Sequence, residues 1–161
     1  MTAAPAFENK ICSPDDAAAR VASLPRPRVF TNGVFDLLHR GHVTYLARAR
    51  ALGSSLIVAL NSDRSAQRLG KGADRPINVL ADRLALVAAL EAVSLVTWFE
   101  ADTPFELIVA LRPDVLVKGG DWPPEAIVGA KEVLACGGQV HSIPFDHVRS
   151  TTNLLARIRA G

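Results

Sequence analysis

The chain has 161 residues, 49% of them hydrophobic and 21% charged, which suits one domain with a substantial core and is too short for two. Its 18 basic and 16 acidic side chains leave a net charge of +2 and are scattered along the chain. The dense basic runs of a nucleic-acid footprint are missing, so no nucleic-acid partner is expected. Cys12 and Cys136 form no metal-ligand spacing, no charged-then-apolar leader opens the chain, and no apolar run approaches the ~18 residues of a membrane span, so the expectation is a cytoplasmic protein with no membrane partner.

In chain order, Ser13-Pro14-Asp15-Asp16 supplies an N-cap, a proline at the first helical position and acids in the first turn, which predicts a helix from Pro14 to Leu24. Pro25-Arg26-Pro27 stops it. Residues 1–27 are therefore expected as a helical extension packed on a domain of residues 28–161. Strands are predicted at Arg28 to Thr31, Ser55 to Asn61, Leu95 to Phe99, Val115 to Lys118 and Gln139 to Ile143. Helices are predicted at Gly41 to Leu52, Leu80 to Ala92, Pro104 to Leu111, Pro124 to Cys136 and Thr151 to Arg159. This alternation predicts an α/β fold, a doubly wound, Rossmann-like five-stranded parallel sheet with helices on both faces. Ligands of such sheets bind beyond the carboxyl ends of the strands. The residues found there are Asn32-Gly33, Asn61-Ser62-Asp63, Glu100-Ala101-Asp102 and Gly119-Gly120-Asp121-Trp122.

Two of the four histidines, His39 and His42, flank Gly41 where the first strand turns into its helix. A helix starting there aims its free N–H groups and positive dipole end past the strand, which favours a phosphate. Both imidazoles can donate to the same anion, and donors fixed on the non-bridging oxygens of a phosphorus under attack lower the barrier without covalent catalysis by the protein. Histidines three apart also suit a metal, but His141 and His147 are about a hundred residues away and no cysteine is near, so a metal site made by protein side chains alone is not expected.

The segment Thr31-Asn32-Gly33-Val34-Phe35-Asp36-Leu37-Leu38-His39-Arg40-Gly41-His42 resembles the signature of the HxGH nucleotidyltransferases, the cytidylyltransferase-like superfamily. Asn61-Ser62-Asp63, Arg75-Pro76-Ile77-Asn78, Leu90-Glu91-Ala92-Val93, Asp114 to Trp122 and Ser150-Thr151-Thr152-Asn153 narrow the resemblance to the heptose 1-phosphate adenylyltransferases of lipopolysaccharide synthesis. It is similar to the adenylyltransferase domain of the bifunctional heptose enzyme, without the sugar-kinase domain ahead of it. The resemblance implies transfer of AMP from ATP to D-glycero-D-manno-heptose 1-phosphate, with Mg2+ arriving on ATP, a separate sugar kinase in the pathway, and a homo-oligomer, dimer or larger. The alternatives are a cytidylyltransferase acting on glycerol 3-phosphate or a similar small phosphate, and a nucleotide-binding module without turnover. Cytidylyltransferases usually carry an arginine-threonine pair before the serine of the last helix, where this chain has His147-Val148-Arg149.

The same resemblance implies roles. His39, His42 and Lys71 carry catalysis. Thr31, Asn32, Gly33, Val34, Phe35, Gly41, Lys118, Gly119, Gly120, Asp121, Ser150, Thr151 and Thr152 bind the nucleotide, Thr31 through its hydroxyl and Val34 and Phe35 through backbone N–H groups. Asp36, Asn61, Asp63, Arg75 and Trp122 bind the acceptor, and Arg83 is a further phosphate candidate or an exposed helix charge. Relatives often place an arginine in the last helix where this chain has Leu154 and Leu155.

Overall fold

A computed structural model describes residues 4–70, 72, 74–145 and 151–160. Five parallel strands, β1 (Arg28–Gly33), β2 (Ser55–Asn61), β3 (Leu95–Phe99), β4 (Val115–Gly119) and β5 (Gln139–Ile143), form one sheet in the order β3-β2-β1-β4-β5. Every residue of β2 is buried, as its uninterrupted apolar run requires of a strand covered on both faces. Helices α2 (Arg40–Arg50) and α4 (Leu80–Ala88) cover one face, where Tyr45, Leu46, Leu84 and Val87 pack on Val29, Val58 and Val117. On the other face α1 (Pro14–Ala22), α5 (Phe105–Leu111) and α6 (Ala130–Ala135) bring Ala17, Val21, Ile108 and Val133 against Phe30, Ile57 and Leu116. The expected doubly wound architecture is thus present, and α1 contributes directly to its core.

Several boundaries differ from the sequence reading, each for a local reason. The stretch expected as one helix from Pro124 to Cys136 is a 3-10 turn, Pro124–Ala126, then α6. Between them Gly129 has φ +84, and a Cβ there would lie 2.9 Å from the Ile108 side chain, so the chain breaks where it meets α5. Helix α4 stops at Ala88 because the chain turns at Leu90, whose carbonyl accepts the Val93 N–H at 3.2 Å. Two elements were not foreseen, a 3-10 turn at Ala6–Lys10 and helix α3 (Asp63–Arg68), started by Ser62 accepting from the Ser65 N–H. The last helix, α7, spans Thr151–Arg159.

The chain runs outward from β1 through β2 to β3 and then crosses to β4 on the other side of β1, which places the switch point between β1 and β4. There the strands part. Val29↔Val115 and Phe30↔Leu116 are their register partners, whereas β1 and β2 stay paired to Gly33↔Leu60. Tyr45 stands at the fork, its hydroxyl 2.5 Å from Thr31 Oγ1 and 3.5 Å from the Val117 carbonyl. One tyrosine of α2 therefore fixes that helix to both sides of the opening crevice.

Candidate active site

Past β1 the chain folds back sharply. Phe35 is buried with φ +48, a left-handed conformation that is costly for a bulky residue, and its ring covers Gly33, where a Cβ would sit 2.9 Å from it. The turn delivers His39 as the N-cap of α2 in an extended conformation, with no side-chain cap on the helix. A helix N-terminus without a side-chain cap is of the kind that favours an anion. The His39 and His42 rings stack with centroids 3.9 Å apart and planes 20° from parallel, and Phe35 meets His42 edge-on at 5.3 Å. Burial holds the His42 pKa down to about 4, with His39 adding to the fall and the Leu37 backbone partly opposing it. His42 is therefore neutral at pH 7.

Behind the turn lies a buried polar network that revises several expected roles. The Asp36 carboxylate, with 0% side-chain exposure, accepts from Arg75 Nε at 2.7 Å and from the Ile77 and Asn78 N–H groups at 2.9 Å each. It holds the loop before α4 in place, and is not presented to an acceptor. Arg83 is neither an exposed charge nor a phosphate ligand: it is fully buried, donating to the carbonyls of Asn78 (2.9 Å), Val34 (2.8 Å) and Asn61 (2.9 Å) and to Asp63 Oδ1 (2.7 Å). The ends of β1 and β2 are thereby tied together from behind. Asp63 is 41% exposed and Asn61 is buried, its amide donating to Ser65 Oγ at 3.0 Å. Thr31 is buried, and its hydroxyl lies against the Tyr45 hydroxyl at the fork.

Asn32, Gly33, Val34, Asn61, Lys118 and Trp122 line a cleft of about 280 Å³. Leu69, Asp102, Thr103, Pro104, Ala126, Ile127 and Val128 complete its wall, and the roles proposed from sequence had not included these seven. The signal for Asp102 is its place in the stretch Glu100-Ala101-Asp102 that follows β3. Beyond β4, Gly120 takes φ +114, a Cβ there would lie 2.9 Å from Trp122 Nε1, and a Cβ on Gly119 would strike the Phe145 ring at 2.6 Å. Ser142 of β5 fixes this loop by donating to the Gly120 carbonyl at 2.5 Å and accepting the Trp122 N–H at 3.0 Å. Asp121 and Trp122 are exposed on the rim. Thr151, the first residue of α7, donates to the Leu37 carbonyl at 3.5 Å, bringing a second helix N-terminus to the turn before α2, with Thr152 exposed beside it. Lys71 and Ser150 lie outside the described residues.

A larger groove of about 780 Å³ lies at the opposite, amino ends of the strands. There Arg26 pairs with Asp114, and Arg28 donates to the carbonyls of Leu24 and Ala22. Among the described residues no three His, Cys, Asp or Glu side chains gather to hold a metal, and no helix is long and apolar enough to cross a membrane.

Residues 30–152 match the family model described as Cytidylyltransferase-like. The chain is 57% identical over 157 residues to a D-beta-D-heptose 1-phosphate adenylyltransferase of Bordetella bronchiseptica, covering 96% of this chain and 97% of that one. It is 56% identical over 133 residues to the bifunctional protein HldE of Edwardsiella ictaluri, covering 83% of this chain and 28% of that protein. Among solved structures, a lipopolysaccharide core biosynthesis protein from Thermoplasma volcanium superposes with a TM-score of 0.60 at 28% identity, over 76% of this chain and 98% of that one. Pantothenate synthetase from Thermus thermophilus shares the fold at 18% identity and TM-score 0.57, over 88% of this chain and 63% of that one.

Proposed function

Because this chain belongs to the cytidylyltransferase-like family, we propose that it transfers AMP from ATP to D-glycero-D-manno-heptose 1-phosphate, giving ADP-heptose and pyrophosphate for lipopolysaccharide core synthesis. The observation that carries this reading is the stacked His39–His42 pair at the uncapped N-terminus of α2, just past the switch point of the sheet. An oxygen of the sugar phosphate attacks the α-phosphorus of ATP, a P–O bond forms, and the bond to the β-phosphate oxygen breaks to release pyrophosphate. The nucleophile is already anionic, since the second pKa of a phosphate is about 6, so no general base is required. The protein's work is positioning and charge stabilisation. The N–H groups of α2 and the two imidazoles meet the charge that spreads over the α-phosphate oxygens, and a proton drawn onto His42 by the triphosphate strengthens its donation.

The α7 N-terminus, with Thr151, Thr152 and Ser150, serves the remaining phosphates, and Lys71 from its glycine-flanked loop supplies a further cation. Magnesium travels with the triphosphate and neutralises part of its charge. A separate kinase makes the sugar 1-phosphate, and the protein works in the cytoplasm as a dimer or larger assembly.

The test is pyrophosphate release with each anomer of heptose 1-phosphate against ATP, CTP, GTP and UTP, with glycerol 3-phosphate as rival acceptor. Release with ATP and heptose phosphate alone is expected. Release with CTP and glycerol 3-phosphate would move the protein to the cytidylyltransferase reading, and nucleotide binding without release would leave a binding module.

A further inference from the structure

The cleft beside the phosphate site has a polarity of its own. At about 280 Å³ it lies at the lower end of the roughly 300–1,000 Å³ usual for ligand pockets, room for a monosaccharide and too little for a nucleoside triphosphate. One wall is the half-exposed indole of Trp122, an apolar face suited to the C–H face of a sugar ring. Asn32, Asn61, Asp102 and Thr103 also line the cleft, and amide, carboxylate and hydroxyl groups of this kind are the partners that sugar hydroxyls need. Lys118, near the carboxyl end of β4, and Asp102, in the loop after β3, line the same cleft across the ends of β1 and β2. An ammonium attracts a phosphate, which favours a sugar phosphate entering with its phosphate toward Lys118. Asp102 is exposed, and Arg68 Nε donates to its Oδ1 at 2.5 Å while the same guanidinium also binds the Glu100 carbonyl. Its second oxygen is left to accept from a ligand.

Resting on the adenylyl-transfer reading, we infer that this cleft seats the acceptor with its phosphate toward Lys118 and its distal hydroxyls toward Asp102 and Thr103. Those two side chains then determine specificity for the seven-carbon sugar. They bind the part of the acceptor remote from the reaction, so their loss acts on acceptor affinity and leaves the chemical step alone.

The experiment compares heptose 1-phosphate with mannose 1-phosphate, which lacks the seventh carbon, at saturating ATP in the wild type and in Asp102→Ala, Asp102→Asn and Thr103→Val. In Asp102→Ala the KM for heptose phosphate should rise about 10- to 100-fold, the loss expected for hydrogen bonds to a charged group. The asparagine variant should lose less, the KM for ATP and kcat should stay within a few-fold, and the preference for heptose over mannose phosphate should shrink in each variant. Thr103→Val preserves side-chain shape, so it separates a lost hydrogen bond from a disturbed loop. An unchanged KM for heptose phosphate, an equal loss on both sugars, or a loss in ATP affinity would overturn the inference while the active wild type upheld adenylyl transfer. A wild type that releases pyrophosphate with neither sugar would overturn both.

Discussion

Replacing His42 by asparagine removes a titrating ring while keeping a side chain of similar reach, and its effect on stability should depend on pH. Burial, together with the neighbouring His39, lowers the folded-state pKa of His42 from 6.5 to about 4. Above pH 6.5 the imidazole is neutral in both the folded and the unfolded chain, and the depressed pKa costs nothing. Below it the unfolded chain takes a proton that the folded chain refuses until the pH nears 4, so the wild type loses stability across that window. The gap between the two values corresponds to about 3 kcal/mol, and about 2 to 3 kcal/mol remains once solvent screening of a half-buried ring is allowed for. Urea unfolding of wild type and His42→Asn at pH 7.5, 6.5, 5.5 and 4.5 measures it, because carboxylates common to both proteins cancel in the difference. The stability of the wild type relative to the variant should fall by about 1.5 to 2 kcal/mol of that between pH 6.5 and 4.5, the rest lying outside this window. A difference that stays flat across the series would show that His42 is not held neutral and would refute the reasoning. ATP should act in the opposite direction, raising the pKa and taking up a proton on binding, which calorimetry in two buffers of different ionisation enthalpy would detect.

Truncating either histidine should instead strike the rate: His39→Ala is expected to lower kcat by about 10²- to 10³-fold, the usual effect of one transition-state donor, with the melting temperature little changed. Asp36→Ala should cost about 3–5 kcal/mol in chemical denaturation, because it strands the buried Arg75 guanidinium and two backbone N–H groups. Arg83→Met should cost a similar ~3–5 kcal/mol, since the carbonyls of Val34 and Asn61 lose their donor, and near-wild-type stability would show that the clamp is dispensable. Gly120→Ala places a Cβ in a left-handed backbone and against Trp122, so a loss of about 1–3 kcal/mol and a shifted tryptophan emission are expected.

The strands were legible because each is a short apolar run bounded by polar or turn residues, and Ser55–Asn61, Leu95–Phe99 and Gln139–Ile143 form over the predicted residues. The juxtaposition of the histidines with the α2 N-terminus followed from the strand before them and the helix after them. Helix α3 escaped notice because its six residues carry little apolar pattern, and what fixes it is a serine cap and the burial of Ser65 and Ala66. Arg83 and Asp36 were misread for a common reason. Their partners are largely backbone groups far away in sequence, up to 49 residues for Arg83 and 42 for Asp36, and backbone acceptors and donors leave no trace in residue identity. A charged side chain reads as a ligand contact or a solvated charge until the loops that enclose it are seen.

The parting of β1 and β4 beyond Phe30 and Leu116 bears on how readily this protein could be re-engineered. Where the strands separate, Asn32 and Gly33 have no register partner in β4 among the described residues, and both line the crevice. Amides and carbonyls cannot be exchanged by mutation. A library of side-chain substitutions around the crevice should therefore change acceptor preference readily, whereas a change of nucleotide base would demand a shift in strand register or loop length.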